Sequence, residues 1–245
     1  MEKSAAHTTA LSKLKDWDSY LLKHCGLPGP RASLELFWAV VEGGSKAQFQ
    51  VWSKLNLAQA LENTPQVFLT MCGVGGLGRL AAEGDSAALE QMLTFANDPR
   101  WRVREAVAMG LQAIGDKDPA LCLKASGRLA KGSWLEQRAC VAGLCEPRLL
   151  KDKAFTSTVL KLLNTITRKL ATQDDAFNDS GFLSLRQTLG YGWSVSVAAC
   201  PELGKSAFEA WAEYPGKHVQ WVVKENLSKA RLKKLDAQWV ERLKA

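Results

Sequence analysis

The chain has 245 residues, of which 47% are apolar and 23% charged, and a formal net charge of +7. A chain of this size buries roughly 70–75% of its unfolded surface, so composition excludes wholesale disorder and any need for disulfide bracing. The longest uncharged stretch, Asn63 to Gly78, is 16 residues long and contains Asn, Thr, Pro and Gln, too short and polar to cross a bilayer. The opening residues lack the apolar run of a secretory signal. A cytoplasmic protein without membrane contact is therefore expected.

The charge is uneven. Residues 1–60 carry 7 Lys/Arg against 5 Asp/Glu, residues 61–120 carry 5 against 8, and residues 121–245 carry 20 against 12. A basic C-terminal half is either a solvated helix surface or a hint of an anionic partner.

In chain order, residues 1–62 read as a helical, capping region and 63–245 as a continuous array of helices. A polar residue before proline recurs at Thr64-Pro65, Asp98-Pro99 and Asp118-Pro119, the pairing expected of an N-cap with proline at the first helical position. Val67, Met71, Val74, Leu77 and Ala81 share one helix face. So do Val103, Val107, Leu111 and Ile114, and then Val159, Leu162, Ile166 and Leu170. The segment "WSVSVAAC" alternates like a strand, but it follows a helical run and ends at Pro201, which predicts helix. Typical lengths predict about twelve to fourteen helices.

The glycines of "QVFLTMCGVGGLGRLAAEG" spell Gly73-x-Gly75-x-x-Gly78, the pattern of a dinucleotide-binding turn. That turn requires a strand before it and a second strand ending in an acidic residue about 20 positions on. Here Gly84-Asp85-Ser86 turns into another helical stretch, and the Val67–Ala81 face runs through the glycines. The motif is expected to be helical, its glycines allowing close helix packing and no nucleotide site.

Internal similarity is present as well. "WRVREAV" from Trp101 and "WVVKENL" from Trp221 share Trp-x-Val-basic-Glu, and "REAVA" from Arg104 resembles "RACVA" from Arg138. The basic residues Arg104, Arg138, Arg186 and Lys224 are each followed three positions on by an apolar residue, a period suited to helix-pair repeats. "DPRWRVREAVAMGLQAIGD", Asp98 to Asp116, resembles the second helix of a HEAT repeat, with Asp98, Val103 and Arg104 at that family's offsets. The resemblance implies an all-α superhelix, an α-solenoid of antiparallel helix pairs, in which aspartate and arginine ladder neighbouring repeats and an extended concave wall takes a large partner.

Chemistry-bearing constellations are sparse. The six cysteines form no C-x-x-C pair and read as buried and reduced, and the three histidines are scattered, so no metal site and no cofactor are expected. No Walker loop, HExxH or G-x-S-x-G occurs. Asp174-Asp175 is a carboxylate pair in a polar turn. The nine tryptophans are either packing elements or, at Trp101, Trp134, Trp193 and Trp221, aromatics beside basic residues that could anchor a peptide or stack on bases.

The chain is also similar in architecture, size and basic charge to alkylpurine DNA glycosylases built of HEAT-like repeats. It has no counterpart of their tandem-tryptophan and aspartate stretch; Trp17-Asp18 is expected in the first helix, outside the repeats, and no catalytic residue carries over. The expected function is a non-catalytic module binding a protein partner on its concave face. The alternative is nucleic-acid binding through Arg100, Arg102, Arg104, Arg138, Arg186 and the stretch containing Lys224, Lys229, Arg231, Lys233 and Lys234, where Lys229 and Lys233 are expected to share a helix face.

Overall fold

The computed structural model describes residues 2–173 and 178–244; the Asp174-Asp175 pair lies outside the described residues. These residues form fifteen α-helices with short 3-10 turns at Phe95–Asn97 and Leu149–Lys151, and no strand occurs among them. The chain divides into two compact units, residues 1–117 and 118–245. The first carries 12 Lys/Arg and 12 Asp/Glu, the second 20 and 13, so the net charge of +7 belongs to the second unit.

The first unit contains α1 (Glu2–Leu11), α2 (Asp18–His24), α3 (Leu34–Gly43), α4 (Lys46–Ser53), α5 (Pro65–Ala82), α6 (Ser86–Thr94) and α7 (Trp101–Lys117). Helix α5 is its centre and packs against α2, α3, α4, α6 and α7. The region before residue 62 is thus built into this unit around α5. Pro65 opens α5 at its first turn, as the sequence predicts. At the other end Gly84, at φ +99°, lets its own amide reach Ala81 O while that of Asp85 reaches Leu80 O. This is the hydrogen-bond pair of a left-handed helix stop. The Asp85 carboxylate then accepts from Ala88 N and starts α6.

The glycine motif lies wholly inside α5 and is buried. A Cβ on Gly73 would lie 2.5 Å from Ser53 N of α4, and one on Gly78 would collide with the Gly110 backbone of α7. Gly75 and Gly76 leave room for the rings of Phe37 and Phe49. The helix-propensity cost of roughly 1 kcal/mol per interior glycine is set against this close approach.

The second unit contains α8 (Pro119–Leu129), α9 (Trp134–Leu144), α10 (Lys153–Ala171), α11 (Ser180–Ala199), α12 (Pro201–Ala212), α13 (Lys217–Leu227), α14 (Ala230–Leu235) and α15 (Ala237–Lys244). Helix α11 packs between α9 and α13, while α10 contacts α8, α11, α12 and α13. "WSVSVAAC" is helical, and Pro201 opens α12 directly after it. On α10 the buried stripe is Val159, Leu163, Ile166 and Leu170. Leu163 takes the place expected of Leu162, because the 3.6-residue period admits either spacing and only packing decides between them.

Polar side chains finish the joints. Ser133 and Glu136 form a capping box on α9, and Asp118, Asp152 and Asp179 cap α8, α10 and α11. Asn226 of α13 is fully buried. Its Oδ1 accepts from Ser194 N at 2.7 Å, and its Nδ2 donates to Leu189 O and Val222 O, both at 2.8 Å. Two of these three bonds join α13 to the backbone of α11.

Candidate functional site

The basic cluster at the start of α7 faces inward. Arg100 is only 4% exposed. Its guanidinium meets Asp98 at 2.7 Å and 2.9 Å and donates to Leu55 O at 2.9 Å and Ala60 O at 3.3 Å. Arg102 is also buried; it donates to Gly29 O at 2.8 Å and Asn63 Oδ1 at 3.1 Å and pairs with Glu62 at 3.4 Å. Arg104 donates to Asp98 O and Pro99 O at 2.7 Å and 2.9 Å, and its partial burial lowers its pKa from the usual arginine value. These three arginines fasten the 26–33 and 54–64 loops and the turn before α7. Trp101 is 46% exposed, with the Arg102 guanidinium 5.5 Å from its ring.

Asp98-Pro99 does not start a helix as expected. Helix α7 begins at Trp101, because the Asp98 carboxylate is taken by Arg100, whose backbone N–H and Nε both donate to Asp98 Oδ1.

In the second unit, three of the predicted residues stand in one row with three that the sequence reading missed. Lys169 Nζ of α10 lies 5.1 Å from the ring of Trp134, the first residue of α9. Trp134 meets Phe182 edge-on at 5.5 Å, and Phe182 meets His218 at 4.8 Å. His218 Nδ1 accepts from Arg186 at 3.0 Å, since a guanidinium can only donate. The same guanidinium lies 4.5 Å from the Trp221 ring. The row follows from helical spacing, Phe182 and Arg186 being four residues apart on α11 and His218 and Trp221 three apart on α13. Those spacings were the available signal for Phe182 and His218. Phe182 and His218 are buried, whereas Trp134, Arg186 and Trp221 are half-buried and Lys169 is exposed.

The other predicted residues separate. Trp193 is fully enclosed, and its indole N–H donates to Thr167 Oγ1 at 3.0 Å, so it is a core residue with no surface to offer a partner. Arg138 is buried, 5% exposed. Lys224 is exposed. Lys229 pairs with Glu225 at 3.3 Å. The expected shared face of Lys229 and Lys233 does not form. Helix α13 stops at Leu227, where the Ser228 hydroxyl caps Glu225 O at 2.6 Å, and Lys229 is extended ahead of α14. Arg231, Lys233 and Lys234 are exposed on or near α14.

Between α13 and α15 lies an open groove of about 700 Å³. Trp221, Val223, Leu227 and Leu243 line it, together with Lys217, Lys224 and Lys244. A smaller hollow of about 430 Å³ beside the end of α11 includes Lys151 and Arg231.

All six cysteines are buried, and none forms a disulfide bond. Burial raises the thiols of Cys72, Cys140 and Cys145, the last to about 12 against the opposing influence of Ser196 and Arg231. At neutral pH these three are thiols rather than nucleophilic thiolates. Among the described residues, no group of three His, Cys, Asp or Glu is placed to hold a metal ion, and no helix is long and apolar enough to cross a membrane. Compared with known protein families, curated proteins and solved structures, the chain matches none.

Proposed function

We propose that this chain is a HEAT-like helical-repeat protein that binds a protein partner through the face formed by α9, α11 and α13, without catalysing a reaction. The continuous superhelix and its concave wall belong to the same proposal. The succession of α9, α11 and α13, with α10 and α12 also packed against α11, supports a repeat reading.

The observation that carries the proposal is the row ending in two half-buried tryptophans, each with a cation over its ring. Tryptophan and arginine on a rigid helical base are the residue types that dominate protein interfaces. The arginines that would have formed a phosphate-binding stripe on α7 already serve backbone carbonyls and carboxylates of their own unit.

The test is affinity capture with the full chain as bait, beside a Trp134→Ala/Trp221→Ala variant of unchanged far-UV circular dichroism. The variant should lose a specific partner that the parent retains. Identical captured sets would sink the proposal. The exposed cations Lys224, Arg231, Lys233 and Lys234 favour nucleic acid as a second reading. Duplex-DNA binding with a steep negative salt slope, abolished by Lys233→Glu/Lys234→Glu, would put that reading first.

A further inference from the structure

We infer that the groove between α13 and α15 takes an acidic, amphipathic segment of a protein, with aliphatic or aromatic anchors in the groove and aspartate or glutamate against its lysines. This deepens the protein-binding reading above and rests on it.

Charge and chemistry select the occupant. The groove has apolar lining from Val223, Leu227 and Leu243 and cations from Lys217, Lys224 and Lys244, the last paired with Glu241 at 3.0 Å, and no aspartate or glutamate is among the described residues that line it. Val223 and Leu227 also belong to the core, at 3% and 4% exposure, so the part of the lining they supply is rigid. A volume of about 700 Å³ lies within the range of sites that enclose a ligand, and it admits more than one partner side chain. An amphipathic helix laid in an apolar groove is a recurrent way of filling such a space. The Arg186 guanidinium already stacks on the Trp221 ring, which favours a hydrocarbon anchor over a stacked base. Net charge points the same way, since the unit that contains the groove carries the whole positive excess of the chain.

The experiment pans a phage-displayed library of random linear peptides against the full chain. Selected peptides are then synthesised with a fluorophore and titrated by anisotropy. Enriched sequences should combine Asp or Glu with Leu, Ile, Phe or Trp at helical spacing. Their affinity should fall by about tenfold or more in Lys217→Glu/Lys224→Glu and fall with added salt. Lys217→Gln/Lys224→Gln, a milder change at the same positions, should give an intermediate loss and guards against misfolding of the charge reversal.

Enrichment without acidic residues, no enrichment at all, or affinity unchanged by the charge reversal would overturn the inference. So would full displacement of the peptides by inorganic phosphate at constant ionic strength, which would make the groove an anion site. The two proposals fail separately. A captured partner lost by Trp134→Ala but kept by Lys217→Glu/Lys224→Glu removes the groove's role and leaves the interaction reading standing.

Discussion

The two units use basic residues in opposite ways. In the first, positive and negative charges balance, and the arginines at the start of α7 point into the protein, where each meets backbone carbonyls or carboxylates. In the second, the excess of seven positive charges includes exposed lysines on α13 and α14, with half-buried tryptophans nearby. The difference lies in what surrounds each cation. Long irregular segments at 25–33 and 54–64 present carbonyls that no helix satisfies, and arginine, with five donors in a planar fork, can serve several at once. Helices α13 and α14 are joined by only two residues and leave few such carbonyls to be served. A count of basic residues therefore measures a surface only after the loops have taken their share.

The largest effects should come from breaking the inward half of this contrast. Arg100→Ala removes the guanidinium from the Asp98 carboxylate, which keeps only the backbone N–H of residue 100, and from the carbonyls of Leu55 and Ala60, and should cost about 3–5 kcal/mol in urea denaturation of the full chain. A loss below about 1 kcal/mol would mean that the arginine is not structural.

The tryptophans sharpen the comparison. Trp193→Ala, in the core of the second unit, should cost about 3–5 kcal/mol, whereas Trp101→Ala on the surface of the first should stay within about 0.5 kcal/mol. Equal losses from the two would contradict the burial difference.

A smaller cost, about 1–3 kcal/mol, is expected of Gly78→Val, where the added atoms collide with the Gly110 backbone. Thermal unfolding would show it as a lower midpoint at unchanged helix content, and an unchanged midpoint would refute the close contact.

The smallest effect is electrostatic. A hydrogen bond from Lys46, at 2.7 Å, and then the Ala88 amide hold the Asp85 carboxyl below the usual aspartate range. A depressed carboxylate contributes stability above its unfolded-state pKa and loses it as pH falls through the lower folded value. Asp85→Asn keeps a competent cap and removes the titration, so its stability should depend less on pH than the parent's below about pH 4. Parallel acid profiles would exclude a contribution from this pair.

The helical class, the apolar faces of α5 and α7 and the helical nature of the glycine motif were all legible, because each depends on a period within one segment. The position of the α7 start was not, since the Asp98 carboxylate is claimed by a side chain two residues on. Nor was the fate of Arg100 and Arg102, whose partners lie about forty or more residues earlier in the chain. On the candidate face, Trp134, Arg186 and Trp221 were picked out by their pairing with basic residues or the repeat. Phe182 and His218, which connect them, carry no repeat signature; their helical spacing to Arg186 and Trp221 was the one signal, and their contacts with each other and with Trp134 arise only when three helices are side by side. Trp193 was indistinguishable from its half-buried counterparts by composition alone.

Asn226 has a consequence for how α13 can be replaced or redesigned. Apolar surfaces tolerate sliding, because one methyl group substitutes for another at little cost. An amide that fills a donor and an acceptor on α11 does not. If α13 shifted by one residue, Ser194 N and Leu189 O would lose that partner, and a buried carboxamide would face hydrocarbon. The side chain acts as a key with one position, so an exchanged or grafted α13 will seat in a single alignment only if it carries asparagine there.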